Sequence, residues 1–302
     1  MFTGSVTPDL LGGSVIAVPP MARNSQGAVC KTANQQIVRH IEAGGVSTLL
    51  YGGNANFYHI RPSEYESTLA TLVEIAAEST WMIPSAGPSF GLMMDQADVL
   101  RDFDFPTTMI LPQQEIATPP GIATGTRLFA ERLGRPVVLY LKHNNILPPS
   151  LVASLQRDGV LAAIKYAVVR DNPADDPYLK SLVADVDPSI IVSGIGEQPA
   201  IVHLRDFGLN GFTAGCVCVA PKLSMQLLQA IKAGDFEHAE TIREIFVELE
   251  DLRNNINPIR VLHEAVRLAG IADTGSLTPL LSGIESDDLK KIEIASKRLL
   301  SC

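Results

Sequence analysis

An alternation constrains this chain more than any other feature. Eight short runs of β-favouring residues are each followed by a stretch with helical periodicity. The runs are SVIAVPP (14–20), VSTLLY (46–51), TWMIPS (80–85), TTMILP (107–112), PVVLYL (136–141), VLAAIKYAV (160–168), PSIIVSG (188–194) and GFTAGCVCV (211–219). They are continuously apolar rather than strictly alternating, the pattern of strands buried on both faces. The segments between them carry helix signals. QQIVRHIEAGG has apolar Ile37, Ile41 and Ala43 and then a Gly pair suited to a C-cap. PSEYESTLATLVEIAAEST offers Ser63 as an N-cap with acidic residues in the first turn, and two further segments stop at Gly134 and Gly208. Strand–helix alternation repeated eight times predicts an α/β protein built as a (β/α)8 TIM barrel. A doubly wound sheet also alternates, but more often carries a Gly-rich phosphate loop after its first strand, and VIAVPPMARN has none.

Beyond the eighth run the pattern changes to helices only, from about Lys222. LSMQLLQAIKAG is followed by DFEHAETIREIFVELEDLRNN, with Ile242, Ile245, Phe246, Leu249 and Leu252 at helical spacing. PIRVLHEAVRLAG starts at Pro258 and stops at Gly270, and SDDLKKIEIASKRLL closes the chain. No Ser-, Gly- or Pro-rich linker separates the parts. The expected organisation is a barrel over 1–221 and a C-terminal helical domain over 222–302 that packs on it.

Composition narrows the function. The 24 Lys+Arg against 33 Asp+Glu leave a net charge of −9 with no basic run, so nucleic acid is not an expected partner. No apolar run approaches the roughly 18 to 20 residues of a membrane span, and MFTGSVTPDLLGG has no signal-type stretch, so a cytoplasmic location is expected. Cys30, Cys216, Cys218 and Cys302 are too few and scattered for a disulfide framework. Cys216 and Cys218 read as two buried thiols on one face of a strand. No His, Asp or Glu cluster has metal-ligand spacing, so no metal is expected. His40, His59, His143, His203, His238 and His263 are scattered and read mostly as surface or helix-face residues, with only His143 near the expected barrel mouth.

Barrel enzymes carry their chemistry at the C-terminal ends of strands. Lys165 lies inside the apolar run VLAAIKYAV, where desolvation lowers an amine's pKa and makes it a usable nucleophile. Lys142, at the end of VVLYLKH, competes for that role, and a strand lysine can also simply snorkel outward. Tyr140 lies 25 residues before Lys165, one βα unit away, and a phenol beside a lysine can relay a proton. It can equally be a buried tyrosine bonded to backbone. After the second run, Gly52-Gly53-Asn54 lets backbone approach a ligand, and N–H groups plus an Asn amide can hold a carboxylate; the same residues also make a plain turn. Ser193-Gly194 and the stretch from Gly211 through Thr213 to Gly215 provide room at the mouth.

PVVLY followed one βα unit later by AIKYA, the opening VIAVPPM, the stretch VSGIGEQPAIVHLRDFGLNGFTAG and the helical extension together resemble the dihydrodipicolinate synthase/N-acetylneuraminate lyase family. The resemblance covers nearly the whole chain. It implies a class I lyase in which Lys165 forms an imine with the keto carbon of a 2-oxo acid, usually pyruvate. It further implies that Tyr140 relays protons and that the turn at Gly53-Asn54 holds the carboxylate. Gly52, Ser193, Gly194 and Thr213 complete the expected substrate-contact set. No metal or organic cofactor is implied, because the imine is itself the electron sink. The family is commonly tetrameric, so a dimer or tetramer is expected.

Three departures shape the expected activity. The family's strand-2 turn is typically Gly-Thr-Thr-Gly-Glu, and here Gly52-Gly53-Asn54-Ala55-Asn56 stands in its place without either hydroxyl. The synthases carry a tyrosine after strand 4 that reaches a neighbouring subunit, where this chain has LPQQEIATPP with Gln113 and Gln114. They also carry an arginine shortly after the strand-5 tyrosine, where this chain reads LKHNNILPP with Asn145 near that place. These losses argue against lysine biosynthesis and leave the imine chemistry standing. The expected function is an aldolase or dehydratase acting on pyruvate or a sugar-derived 2-oxo acid. The alternatives are a 4-hydroxy-tetrahydrodipicolinate synthase with an altered relay, or a relative that only binds a 2-oxo acid.

Overall fold

The computed structural model describes residues 1–302 except Gln114, Glu115 and Thr278, so the expectation at Gln114 lies outside the described residues. The strands are β1 (Ile16–Ala17), β2 (Thr48–Leu50), β3 (Trp81–Ile83), β4 (Ser85–Ala86), β5 (Met109–Ile110), β6 (Val137–Leu141), β7 (Leu161–Tyr166), β8 (Ile191–Ser193) and β9 (Gly211–Ala214). All pair in parallel, in the order β3-β2-β1-β9-β8-β7-β6-β5-β4. Among the described residues β3 pairs only with β2 and β4 only with β5, and one residue, Pro84, separates them. They are the two halves of one stave, so the sheet closes as an eight-stave (β/α)8 barrel. Proline has no N–H for a ladder, which explains a break at that position.

Every expected strand is present, in shorter form. The largest difference is in 211–219, where the ladder stops at Ala214 and Cys216–Cys218 form a 3₁₀ turn instead. The neighbours of β9 explain this. β1 and β8 end at Ala17 and Ser193, so beyond Ala214 there is no strand left to pair with. Both thiols are buried as expected, but not on a strand.

The helices are α1 (Pro8–Gly12), α2 (Lys31–Ala43), α3 (Pro62–Ile75), α4 (Phe90–Leu100), α5 (Pro119–Leu133), α6 (Pro149–Arg157), α7 (Pro177–Asp185), α8 (Ala200–Phe207), α9 (Pro221–Ala233), α10 (Phe236–Asn255), α11 (Pro258–Leu268) and α12 (Ser286–Leu300). Gly134 and Gly208 end α5 and α8 in the left-handed conformation, at φ 77° and 72°. Ser63 is not the N-cap of α3: the helix begins one residue earlier, on Pro62, whose fixed φ suits a first helical position. In α10 the Ile242, Phe246 and Leu249 stripe is buried within this chain. Its last two turns carry Glu250 and Arg253, also buried, toward the barrel mouth. Among the described residues no helix is long and apolar enough to cross a membrane.

Candidate active site

Register decides which side chains meet inside the barrel. Tyr140 on β6 and Lys165 on β7 are direct ladder partners, so both leave the sheet on the same face. Lys165 Nζ lies 4.7 Å from the centre of the Tyr140 ring. The next pair, Leu141 and Tyr166, faces outward, where the Tyr166 hydroxyl donates to Asp176 at 2.5 Å.

Lys165 is 6% exposed. Burial lowers its pKa to about 7, with the positive charges of Lys142 and Arg253 adding to the effect. A large part of the amine is therefore neutral, and nucleophilic, near pH 7. Lys142 is solvent-exposed at the rim, with Nζ 5.9 Å from the centre of the Tyr58 ring. The Tyr140 phenol is pushed well above its ordinary pKa, first by burial and then by neighbouring Tyr58, so it stands protonated at neutral pH.

Both side chains open on a cavity of about 240 Å³ that is also lined by Gly53, Asn54, Tyr58, Gly194, Thr213 and Arg253. Gly194 makes room for the lysine: a Cβ there would lie 2.9 Å from Lys165 Cγ and 2.8 Å from the Tyr166 carbonyl. Thr213 Oγ1 is buried with no partner among the described residues, a hydroxyl left for whatever occupies the cavity.

The turn after β2 is held from two sides. Asn54 Nδ2 donates to the Val18 carbonyl at 2.9 Å, and His263 Nε2 on α11 donates to the Asn54 carbonyl at 3.1 Å. The Asn54 amide thus spends a donor on scaffolding. Among the described residues, the backbone N–H groups of Gly53 and Asn54 donate to no backbone carbonyl. That leaves a pair of backbone donors on two residues that line the cavity, suited to a carboxylate. A Cβ added at Gly53 would meet only Tyr58 Cε2, at an ordinary 3.5 Å. Gly53→Val should therefore fold, yet its branches would fill the approach to those donors. We expect KM for a 2-oxo acid to rise about 10- to 100-fold, the loss of a charge-assisted hydrogen bond, with little change in melting temperature. Steady-state kinetics beside a thermal melt checks this.

Two expected contact residues lie elsewhere. Gly52 packs inward, where a Cβ would meet Met109 Cε at 2.7 Å, and its carbonyl accepts from Ala55 and Phe57 N–H. Ser193 pairs with Tyr166 in the ladder and so faces outward, where its hydroxyl meets His203 Nδ1 at 2.8 Å. His203 and His263 are only 1% and 3% exposed, rather than surface residues. Burial lowers the pKa of each to about 4, so both are neutral scaffold groups. Asn145 is exposed and is not part of the cavity.

Sequence reasoning missed Tyr58, Glu197, Glu250 and Arg253. Glu197, Glu250 and Cys216 bring three ligand-type atoms within 4.8 Å of one another, a cluster that only folding assembles. Their chemistry suits internal bonding better than a cation. Glu250 accepts the Glu197 and Gln198 N–H groups at 2.9 Å each, Glu197 accepts the Ser224 hydroxyl at 2.6 Å, and the Arg253 guanidinium stands alongside. Burial raises the pKa of both carboxyls, and neighbouring Glu197 pushes that of Glu250 higher still.

Comparison with known proteins matches this architecture. The model of the dihydrodipicolinate synthetase family matches residues 11–298. A Streptomyces avermitilis protein named "Probable 5-dehydro-4-deoxyglucarate dehydratase 1" is 22% identical over 292 residues, covering 91% of this chain and 89% of that protein. Dihydrodipicolinate synthase from Bacillus clausii superposes with a TM-score of 0.84 at 20% identity, over 95% of this chain and 98% of that one. The Escherichia coli K12 prophage protein YagE, of the dihydrodipicolinic acid synthase family and solved in complex with pyruvate, gives 0.82 at 18% identity, over 96% and 99%.

Proposed function

Because this chain belongs to the dihydrodipicolinate synthetase family and is an enzyme of the lyase kind, we propose that it acts on a sugar-derived 2-oxo acid through an imine on Lys165. The observation that carries this reading is a buried lysine with its pKa lowered to about 7, set directly against a protonated tyrosine in the same cavity. The Lys165 lone pair attacks the keto carbon, and the carbonyl oxygen leaves as water after taking up protons, one of them relayed through the Tyr140 hydroxyl. The free N–H groups of Gly53 and Asn54 hold the neighbouring carboxylate. Loss of a C3 proton turns the imine into an enamine, whose electron pair then expels a hydroxyl from C4. That is dehydration; the same imine also supports cleavage of the C3–C4 bond.

The name of the Streptomyces relative favours dehydration. A direct assay separates the two outcomes. With a 2-oxo-3-deoxyhexarate, dehydration gives a product that has lost the elements of water and releases no pyruvate, whereas aldol cleavage releases pyruvate. No reaction with any hydroxylated 2-oxo acid, together with a trapped imine, would instead indicate a binding protein.

The pH dependence follows from the lysine. Its neutral form is the nucleophile, and its pKa is lowered to about 7. Below pH 7 the neutral fraction, and with it the rate of imine formation at low pyruvate, should fall about tenfold per pH unit. Above pH 8 the rate should level off. A rate still climbing toward pH 10 would mean an unperturbed amine. The measurement is the rate of borohydride-trapped adduct against pH.

The same reading includes assembly and location. An apolar cavity of about 400 Å³ between α4 and α5 is flanked by exposed Phe90 and Leu128, a face that a second copy can cover. This supports a dimer or tetramer, with the α10 stripe reserved for the internal core. A cytoplasmic small-molecule enzyme is consistent with the absence of a membrane-spanning helix among the described residues.

A further inference from the structure

The six tyrosines sort by what their hydroxyls do. Those of Tyr65, Tyr166 and Tyr178 donate to the Ser85 carbonyl at 2.9 Å, to Asp176 at 2.5 Å and to the Leu147 carbonyl at 2.5 Å. Tyr51 is fully buried and does not line the cavity that Lys165 opens on. Tyr140 and Tyr58 do line it, and among the described residues neither hydroxyl has a protein acceptor. A phenol left unpaired at a cavity wall is available to whatever enters. Tyr140, with its ring 4.7 Å from the lysine amine, serves the oxygen at C2 in the reading above. Tyr58 has no such task there.

The turn after β2 puts Tyr58 where it stands. Asn56 takes the left-handed conformation, at φ 58°, which asparagine tolerates better than most residues. Its N–H donates back to the Gly53 carbonyl at 2.9 Å, and the Phe57 N–H donates to the Gly52 carbonyl at 3.1 Å. The chain folds back on itself, and Phe57–His59 form a single 3₁₀ turn. Phe57 is buried in the core, its ring edge-on to that of Tyr65 at 6.3 Å. Tyr58 is half-buried at the cavity. Its Cε2 lies 3.5 Å from where a Cβ on Gly53 would be, so the ring stands beside the backbone donors suited to the carboxylate. Lys142 Nζ lies 5.9 Å from the ring centre. Burial pushes the Tyr58 phenol up to about 12, so it carries its proton at neutral pH.

The dehydration set out above needs a proton that no residue there supplies. Hydroxide is a poor leaving group, and the C4 hydroxyl departs readily only as water. With the carboxylate on the turn and C2 on Lys165, C4 is three bonds from the carboxylate carbon and two from the imine carbon. That short span keeps it in the part of the cavity that Tyr58 borders. We propose that Tyr58 is the general acid of the dehydration, its hydroxyl proton passing to the C4 hydroxyl as that group leaves. The enamine electron pair forms the C3–C4 double bond, the C4–O bond and the phenol O–H bond break, and the oxygen departs as water. The phenolate regains a proton from solvent, which received the C3 proton, so substrate gives product and water. This rests on the imine reading above and adds the residue that activates the leaving group. Tyr140 and Tyr58 then divide the proton work between two oxygens, the keto oxygen at C2 and the hydroxyl at C4.

The test compares the wild type with Tyr58→Phe, which keeps the ring and removes only the hydroxyl. With a 2-oxo-3-deoxyhexarate, kcat for dehydration should fall by about 100-fold or more, the usual cost of losing a general acid. Two reactions that put no proton on a leaving hydroxyl should change by less than about threefold. One is exchange of the pyruvate methyl protons with heavy water, which reports imine and enamine formation. The other is fluoride release from the analogue with fluorine in place of the C4 hydroxyl, because fluoride departs without being protonated. An unchanged dehydration kcat in Tyr58→Phe overturns the proposal. So does exchange or fluoride release that falls as far as dehydration, which would give the hydroxyl a structural or earlier role. Dehydration lost in Lys142→Ala but kept in Tyr58→Phe assigns the acid to the lysine instead. Aldol cleavage of the hexarate by the wild type also overturns the proposal, since no hydroxyl then leaves. Absence of any pyruvate adduct in the wild type is a separate outcome, which defeats the imine reading itself.

Discussion

Turnover should vanish when Lys165 is replaced by alanine. The proposed chemistry routes every step through a covalent bond to this amine, so no residual fraction of the mechanism survives its removal. The structure also indicates that the variant will fold. Lys165 sits against the Tyr140 ring, with its cation suppressed by burial, and among the described residues it makes no hydrogen bond whose partner would be orphaned. The expected result is a cooperative melt close to the wild type with activity below detection. Lys142 is the informative control. It lies at the exposed rim of the same cavity, so Lys142→Ala should retain a reduced adduct. Turnover that persists in Lys165→Ala and is lost in Lys142→Ala would reassign the nucleophile.

Tyr140→Phe should slow turnover by about 10²- to 10⁴-fold, the usual cost of losing a proton relay. The substitution isolates the hydroxyl, because phenylalanine keeps the ring 4.7 Å from the lysine amine. Slow imine formation should continue, since water can deliver protons less efficiently. Steady-state kcat and single-turnover trapping distinguish the two steps. A wild-type kcat in the phenylalanine variant would remove Tyr140 from the mechanism.

Much of the scaffold was legible because a parallel barrel writes its pattern locally. Continuous apolar runs mark strands buried on both faces, and Gly134 and Gly208 mark helix ends by their left-handed backbone. The pairing of Tyr140 with Lys165 was legible for a similar reason, since one βα unit separates adjacent staves. Ser193 was a legible error. Register and the two-residue alternation of a strand put it with outward-facing Tyr166, while Thr213 lies on the opposite face from Phe212, the ladder partner of Ser193. The Cys216–Cys218 turn was not legible, because where a ladder ends depends on the lengths of its neighbours.

Arg253 shows the limit most clearly. It lies 88 residues beyond Lys165 in sequence, and no local pattern states that the last turn of α10 crosses the barrel mouth. A weak signal was nevertheless present. Ile242, Phe246, Leu249 and Arg253 follow one another at spacings of four, three and four, so the arginine occupies the next position of the apolar stripe. A charge at a core position has to be paired or functional, and here the structure brings it to the cavity. Tyr58 had no comparable signal. It follows the Gly-rich turn as one aromatic residue among several, and only the fold places its ring against Gly53.

The central claim, that Lys165 forms an imine with a 2-oxo acid, is tested most directly by borohydride trapping of the unmodified enzyme with pyruvate. Intact mass should show a single adduct in which the keto oxygen has been replaced by a secondary amine. Proteolysis should place that adduct on the peptide containing Ala163-Ile164-Lys165-Tyr166. No adduct, or one mapped to another lysine, would contradict the account.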